Sequence, residues 1–256
     1  MEFFLENYFF IISLSAFLAG ALNAIAGGGT FLTLPSLIFI GLPPVAANAT
    51  SAAALLPGYL GAAFGYKEVL FSVEKKYLLK LLLVVMLSSI LGAYLLVNTP
   101  NTVFLELTPW LLLVATLLFA VNPYLKNYLS HSQGNNGILH FIAITFVGGY
   151  GGYFNGGVGI AMLSALSLNK SNSIESMIAI KSILSFFLTL VSVFIFILNG
   201  LIVWWAALSM MLFSTLGGYM GSKFIQFLSP EVMRNVIITI GLLMTLIMFF
   251  SLNRIN

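Results

Sequence analysis

Ten apolar runs, separated by little more than turns, make up most of this chain: 8–25, 31–41, 45–65, 77–97, 103–122, 138–155, 159–168, 174–198, 201–222 and 232–252. Runs near 20 residues match the hydrocarbon thickness of a bilayer. Backbone placed there must satisfy its own N–H and C=O groups, so segments of this kind span as helices. Charge agrees, since only 7% of the 256 residues are Asp, Glu, Lys or Arg, against roughly 25% in soluble domains. The expected fold class is an all-α integral membrane protein whose main partner is the lipid bilayer, with no room for a soluble domain. A net charge of +3 carried by loop residues gives no reason to expect a nucleic-acid partner. Cysteine is absent, which excludes disulfides and thiolate metal sites. The N-terminal MEFFLENYFF carries Glu2 and Glu6 where a signal peptide carries Lys or Arg, so it is expected to begin the first span.

The runs are interrupted in two informative places. Ala26-Gly27-Gly28-Gly29-Thr30 precedes a short apolar segment at 31–41, which ends at Gly41-Leu42-Pro43-Pro44; Asn48, Thr50 and Ser51 then open the next run. Asn155-Gly156-Gly157-Val158-Gly159 likewise precedes a short segment at 159–168. Inside a membrane, broken helices persist only where they are buried in protein or line a polar cavity.

The two breaks belong to an internal repeat. FLAGALNAIAGGGTFLTLP (17–35) aligns without a gap on FVGGYGGYFNGGVGIAMLS (146–164), setting Gly20 on Gly149, Gly27 on Gly156 and Gly28 on Gly157. Two extra residues in the second loop then place Thr50-Ser51 on Lys181-Ser182, and LGAY (91–94) matches LGGY (216–219). The expected domains are a first membrane repeat at 1–127, a connecting loop at 128–137 with Gly134, Asn135 and Asn136, and a second repeat at 138–256.

Charge placement gives the crossing number. If each short segment crosses, Lys67, Lys75, Lys76, Lys80, Lys126, Lys170, Lys223 and Arg234 fall on or near one side, opposite Arg254, Glu2, Glu6 and Glu106. If they dip in and return, the basic residues divide more evenly. The positive-inside rule favours ten crossings, with both termini outside and the basic loops in the cytoplasm. Five crossings per half make two inverted repeats, each with a glycine-broken short helix.

Helix starts at the breaks present unpaired amides and the positive end of a helix dipole, a ready anion site. Gly27, Gly28, Gly29 and Thr30 in the first half, and Asn155, Gly156 and Gly157 in the second, are the expected backbone of a substrate site. Asn23, Asn48, Thr50, Ser51 and Ser182 are hydrogen-bonding groups around it. Lys181, about a turn and a half into its run, adds a positive charge; the competing reading is that its stem carries the ammonium to the interface. Helix packing by small residues competes with the glycine reading. Glu106 beside Pro109 and Trp110, and Trp204 with Trp205, read as interfacial anchors. His131 and His140 lack acidic neighbours and Asp is absent, so no metal or cofactor is expected and no catalytic site is seen. An anion channel would use the same features without rocking. An intramembrane lipid-phosphate enzyme is a weaker reading.

Through Ala26-Gly27-Gly28-Gly29-Thr30-Phe31-Leu32, Pro35, Gly41-Leu42-Pro43-Pro44 and Ala49-Thr50-Ser51, the chain resembles the TauE/SafE family of membrane transporters, or sulfite exporters, over nearly its whole length. The second half departs from the pattern at Val158, Ser164 and Lys181. The resemblance implies movement of small sulfur-containing anions (sulfite, organosulfonates or thiosulfate) across the cytoplasmic membrane. Direction, coupling and homo-oligomerisation stay open.

Overall fold

A computed structural model describes residues 2–25, 27–131, 137–169, 173–224 and 230–255. Ala26, Gly134, Asn135, Asn136 and Lys170 lie outside the described residues, as do the side chains of Glu2, Glu6, Lys126, His131, Lys223, Arg234 and Arg254. The described residues form eleven helices and no strand: α1 (Glu2–Ile25), α2 (Thr30–Phe39), α3 (Pro44–Gly65), α4 (Lys67–Ser72), α5 (Lys75–Val97), α6 (Asn101–His131), α7 (Gly137–Tyr153), α8 (Val158–Leu166), α9 (Ile174–Leu198), α10 (Trp204–Phe224) and α11 (Pro230–Ile255).

Ten of these helices coincide with the ten apolar runs. Three departures have simple causes. α4 is a single short helix within a charged loop, too short to produce an apolar run. α6 continues to His131, past the end of its apolar stretch, because hydropathy reports where a helix meets lipid and not where it stops. α10 begins at Trp204, not at 201, because residues 201–203 cross to α3 without helical structure.

The outer and inner faces are reversed from those of a soluble bundle. On α5, Leu79, Leu83, Leu87, Leu91 and Leu95 form an exposed leucine stripe at four-residue spacing. The buried face of the same helix carries Ser88, Ser89, Gly92 and Ala93. Leu208, Leu212 and Leu216 repeat the exposed pattern on α10. In water such patches would drive association; against acyl chains they are at home, while small residues let the helix backbones meet. A methyl at Gly20 would run into the Ser214 backbone of α10, and one at Gly217 into the Phe17 carbonyl of α1. Gly92 and Gly152 make the matching approach between α5 and α7. By length and apolarity alone, α5 and the Glu175–Leu198 part of α9 qualify as spans among the described residues.

The packing follows a paired pattern. α1 packs on α10 as α7 packs on α5, α3 on α10 as α9 on α5, and α2 on α11 as α8 on α6. α3 meets α9, and α6 meets α11. Exchanging α1, α2, α3, α5 and α6 for α7, α8, α9, α10 and α11 leaves these contacts unchanged. The main apolar core holds Phe31, Leu34, Leu37, Phe104, Phe154, Phe196 and Met210. A second, around Leu81, Val85, Val158, Leu184 and Leu188, seats α8.

Candidate substrate site at the glycine breaks

The first break turns at Gly27, whose φ of +83° suits glycine. α2 then starts at Thr30, with the Gly28 and Gly29 carbonyls accepting from the amides of Phe31, Leu32 and Thr33. α2 is kept short by Gly41 and by Pro43-Pro44, where Pro44 opens α3. The second break turns at Asn155 (φ +60°) and Gly157 (φ +71°), after which Ile160 and Ala161 donate to the Gly157 carbonyl as α8 begins. Both short helices thus begin in buried backbone, where first-turn amides have no intrahelical acceptor.

The fold brings the two breaks together. A methyl at Gly27 would stand 3.1 Å from the Gly159 Cα, so the chain segments touch. Asn48, on α3, donates through Nδ2 to the Tyr153 carbonyl at 2.9 Å, tying the first half to the residues just before the second break. Asn23 lies against Gly27 and Gly58, beside the buried Tyr59.

Several polar groups at this junction are buried without a partner among the described residues: the Thr30 Oγ1, the Asn48 Oδ1, and both side-chain polar atoms of Asn155, a residue only 3% exposed. A buried polar atom left unpaired costs about 1–3 kcal/mol. Several at one place require a polar partner, whether water or a ligand, to satisfy them. The Asn155 amide offers a donor to an oxyanion. The Asn48 Oδ1 is an acceptor, its amide nitrogen being engaged, and it suits a substrate's own O–H or N–H group.

The other predicted site residues fall differently. The Thr50 hydroxyl accepts from the Val203 N–H at 3.1 Å, which fixes the non-helical segment ahead of α10. Ser51 bonds the Thr33 hydroxyl at 2.6 Å, holding α3 against α2. Ser182 turns back to the Ile178 carbonyl on its own helix at 2.9 Å. Lys181 is half-buried on α9 and makes no ion pair among the described residues. Gly28, Gly29 and Gly156 lie buried within the breaks.

Two polar groups that sequence reading passed over share the same lack of a partner. Ser185 and Thr189 on α9 are fully buried, and their hydroxyls have no partner among the described residues. With Lys181 they follow at four-residue intervals and share one helix face. That spacing, inside a run otherwise rich in Phe, Leu and Ile, was the available signal. The face lies between Phe186, which packs toward Tyr59 and Leu55, and Leu184 and Leu188, which pack on the α8 side.

A polytopic helical protein with two broken helices meeting at a buried polar junction has the build of a membrane transporter. The chain belongs to the TauE/SafE sulfite exporter family, whose sequence profile matches residues 12–248. It is 27% identical to a probable membrane transporter protein of Haemophilus influenzae over 92% of each chain. It is 24% identical to the probable membrane transporter protein ORF9 of Sinorhizobium sp, covering 94% of this chain and 91% of that one. It is also 25% identical to the probable membrane transporter protein YfcA of Escherichia coli K12, over 90% and 85% of the two. No solved structure matches the chain.

Proposed function

We propose that this transporter carries small sulfur-containing anions (sulfite, thiosulfate or an organosulfonate) through a site between two inverted repeats, 1–127 and 138–256, by alternating access in the cytoplasmic membrane. The observation that carries the reading is the set of unpartnered buried groups at Thr30, Asn48 and Asn155, where α2 and α8 begin. Amides and hydroxyls suit an oxyanion, and Lys181, at the position that the repeat alignment gives Thr50, would add positive charge. Among the described residues no cluster of acidic side chains is available to cage a cation. The paired packing of the two halves supports the repeat relation. The most extensive packing joins the halves (α1 on α10, α7 on α5, α3 on α10, α9 on α5), so the bodies that rock combine helices from both. Both termini lie outside in this reading, with the lysines of α4 and α5 in the cytoplasm.

The test is flux in proteoliposomes. Labelled thiosulfate and sulfite should enter vesicles carrying the protein, and unlabelled anion trapped inside should accelerate uptake by counter-flow. Uptake without counter-flow acceleration would indicate a channel. Uptake equal to that of empty vesicles would remove the sulfur-anion assignment.

A further inference from the structure

His140 lies away from the breaks, on α7, and is 1% exposed. Its Nδ1 is 2.9 Å from the Ala165 carbonyl, in the last turn of α8, and its Nε2 is 3.1 Å from the Tyr77 hydroxyl on α5. A carbonyl oxygen can only accept, so Nδ1 carries the hydrogen. In the neutral ring Nε2 then accepts from Tyr77. Nε2 is therefore where a further proton would go, and the Tyr77 hydroxyl can change from donor to acceptor by rotating about its C–O bond.

The first half closes the equivalent contact with different chemistry. There α1 is tied to α2 by the hydroxyls of Ser15 and Ser36, 2.8 Å apart. Serine does not titrate near neutral pH, whereas histidine does. Among the described residues, a group able to change charge latches α8, and serine hydroxyls latch α2.

We propose that His140 is a proton-binding site that couples proton uptake to anion binding at the start of α8. The coupling rests on the anion reading above. A positive charge beside the last turn of α8 is favoured by the negative end of that helix and adds to the attraction at its other end. The nine residues of α8 separate the two positions by roughly 14 Å at 1.5 Å per residue. A unit positive charge and the doubly charged thiosulfate at that distance change affinity by roughly 7- to 50-fold at an effective dielectric constant of about 20 to 40. Linkage makes the effect reciprocal, so bound anion holds the proton on His140 by the same factor. The sign follows: anion affinity is higher when His140 is protonated, and falls as pH rises through its titration. The other titratable or charged groups are Lys75, Lys76, Tyr77, Lys80 and Tyr94 on α5, Glu175 and Lys181 on α9, and Tyr150 and Tyr153 on α7 itself; α8 has none. Any pH response from these persists when His140 alone is replaced.

The test uses thiosulfate, whose charge is constant from about pH 5.5 to about pH 8, the window in which histidine titrates. For the purified full chain, the thiosulfate Kd should rise roughly 7- to 50-fold as His140 loses its proton. In His140→Gln, whose amide can still donate to the Ala165 carbonyl, the part of the profile due to His140 should vanish, leaving only what the other groups contribute. In Tyr77→Phe, which removes the Nε2 partner, the midpoint should move. A pH-independent Kd in the wild type, or an unchanged profile in His140→Gln, overturns the proposal while leaving the anion site standing. Absence of thiosulfate, sulfite and sulfoacetate binding at every pH instead fails the anion reading, and the coupling with it. If His140→Gln does not fold, an unmoved midpoint in Tyr77→Phe overturns the coupling.

Discussion

Gly27 is the residue with least freedom at the site. Its φ of +83° and its contact with Gly159 both exclude a side chain. Gly27→Ala should lower stability by about 1–2 kcal/mol from backbone conformation alone, with steric crowding added. Thermal unfolding in detergent checks this, and an unchanged melting temperature would contradict it. Thr50 makes a contrasting prediction. Thr50→Val strands the Val203 amide and should cost about 1–3 kcal/mol, while anion affinity stays at the wild-type value. Lost affinity with unchanged stability would place Thr50 on the substrate instead. Both glycine breaks were legible from residue identity, because few other residues serve where a buried helix must restart. Thr50 was legible only as a polar group near a break, since its partner lies 153 positions away in sequence.

At the scale of elements, α9 carries the asymmetry between the halves. Lys181, Ser185 and Thr189 share one of its faces, where the repeat alignment puts Thr50, Ala54 and Gly58 on α3. Lys181→Ala should therefore weaken anion binding substantially, whereas a lysine that merely reaches the interface would leave it unchanged. Isothermal titration with thiosulfate distinguishes the two. Ser185→Ala and Thr189→Val should each reduce affinity without lowering stability, because neither hydroxyl has a partner among the described residues to lose. Helix positions were largely legible in the sequence, since membrane spans write their length directly as hydrophobicity. α4 and the end of α6 were not, because a helix outside the bilayer leaves no such trace. The face of α9 was hidden for another reason: four-residue spacing of small hydroxyls reads equally well as interhelical packing.

Across the whole molecule, α1, α2, α3, α5 and α6 pack in a pattern that matches α7, α8, α9, α10 and α11, around the place where Gly27 meets Gly159. The topology assigned to these helices is testable because the chain lacks native cysteine. Single cysteines at Lys75 and at Asn199 should react with an impermeant thiol reagent from the cytoplasmic and the external side respectively. Reaction of both from one side would contradict the ten-crossing arrangement. The glycines suggested a repeat in the sequence, and the paired helix contacts agree with that reading. That the two breaks face each other was an expectation from that pattern; the particular contact, Gly27 on Gly159, was not legible because it depends on how the segments dock. The central claim is that unpartnered groups at the breaks hold the anion, and Asn155→Gly tests it most directly. Glycine accepts the positive φ of that position, so the exchange deletes the amide while leaving the backbone at ease. Measured by thermal shift with thiosulfate, sulfite and sulfoacetate, the wild type should be stabilised by at least one anion. Asn155→Gly should fold with a comparable melting temperature and lose that stabilisation. An equal shift in both proteins, or none in the wild type, would contradict the account.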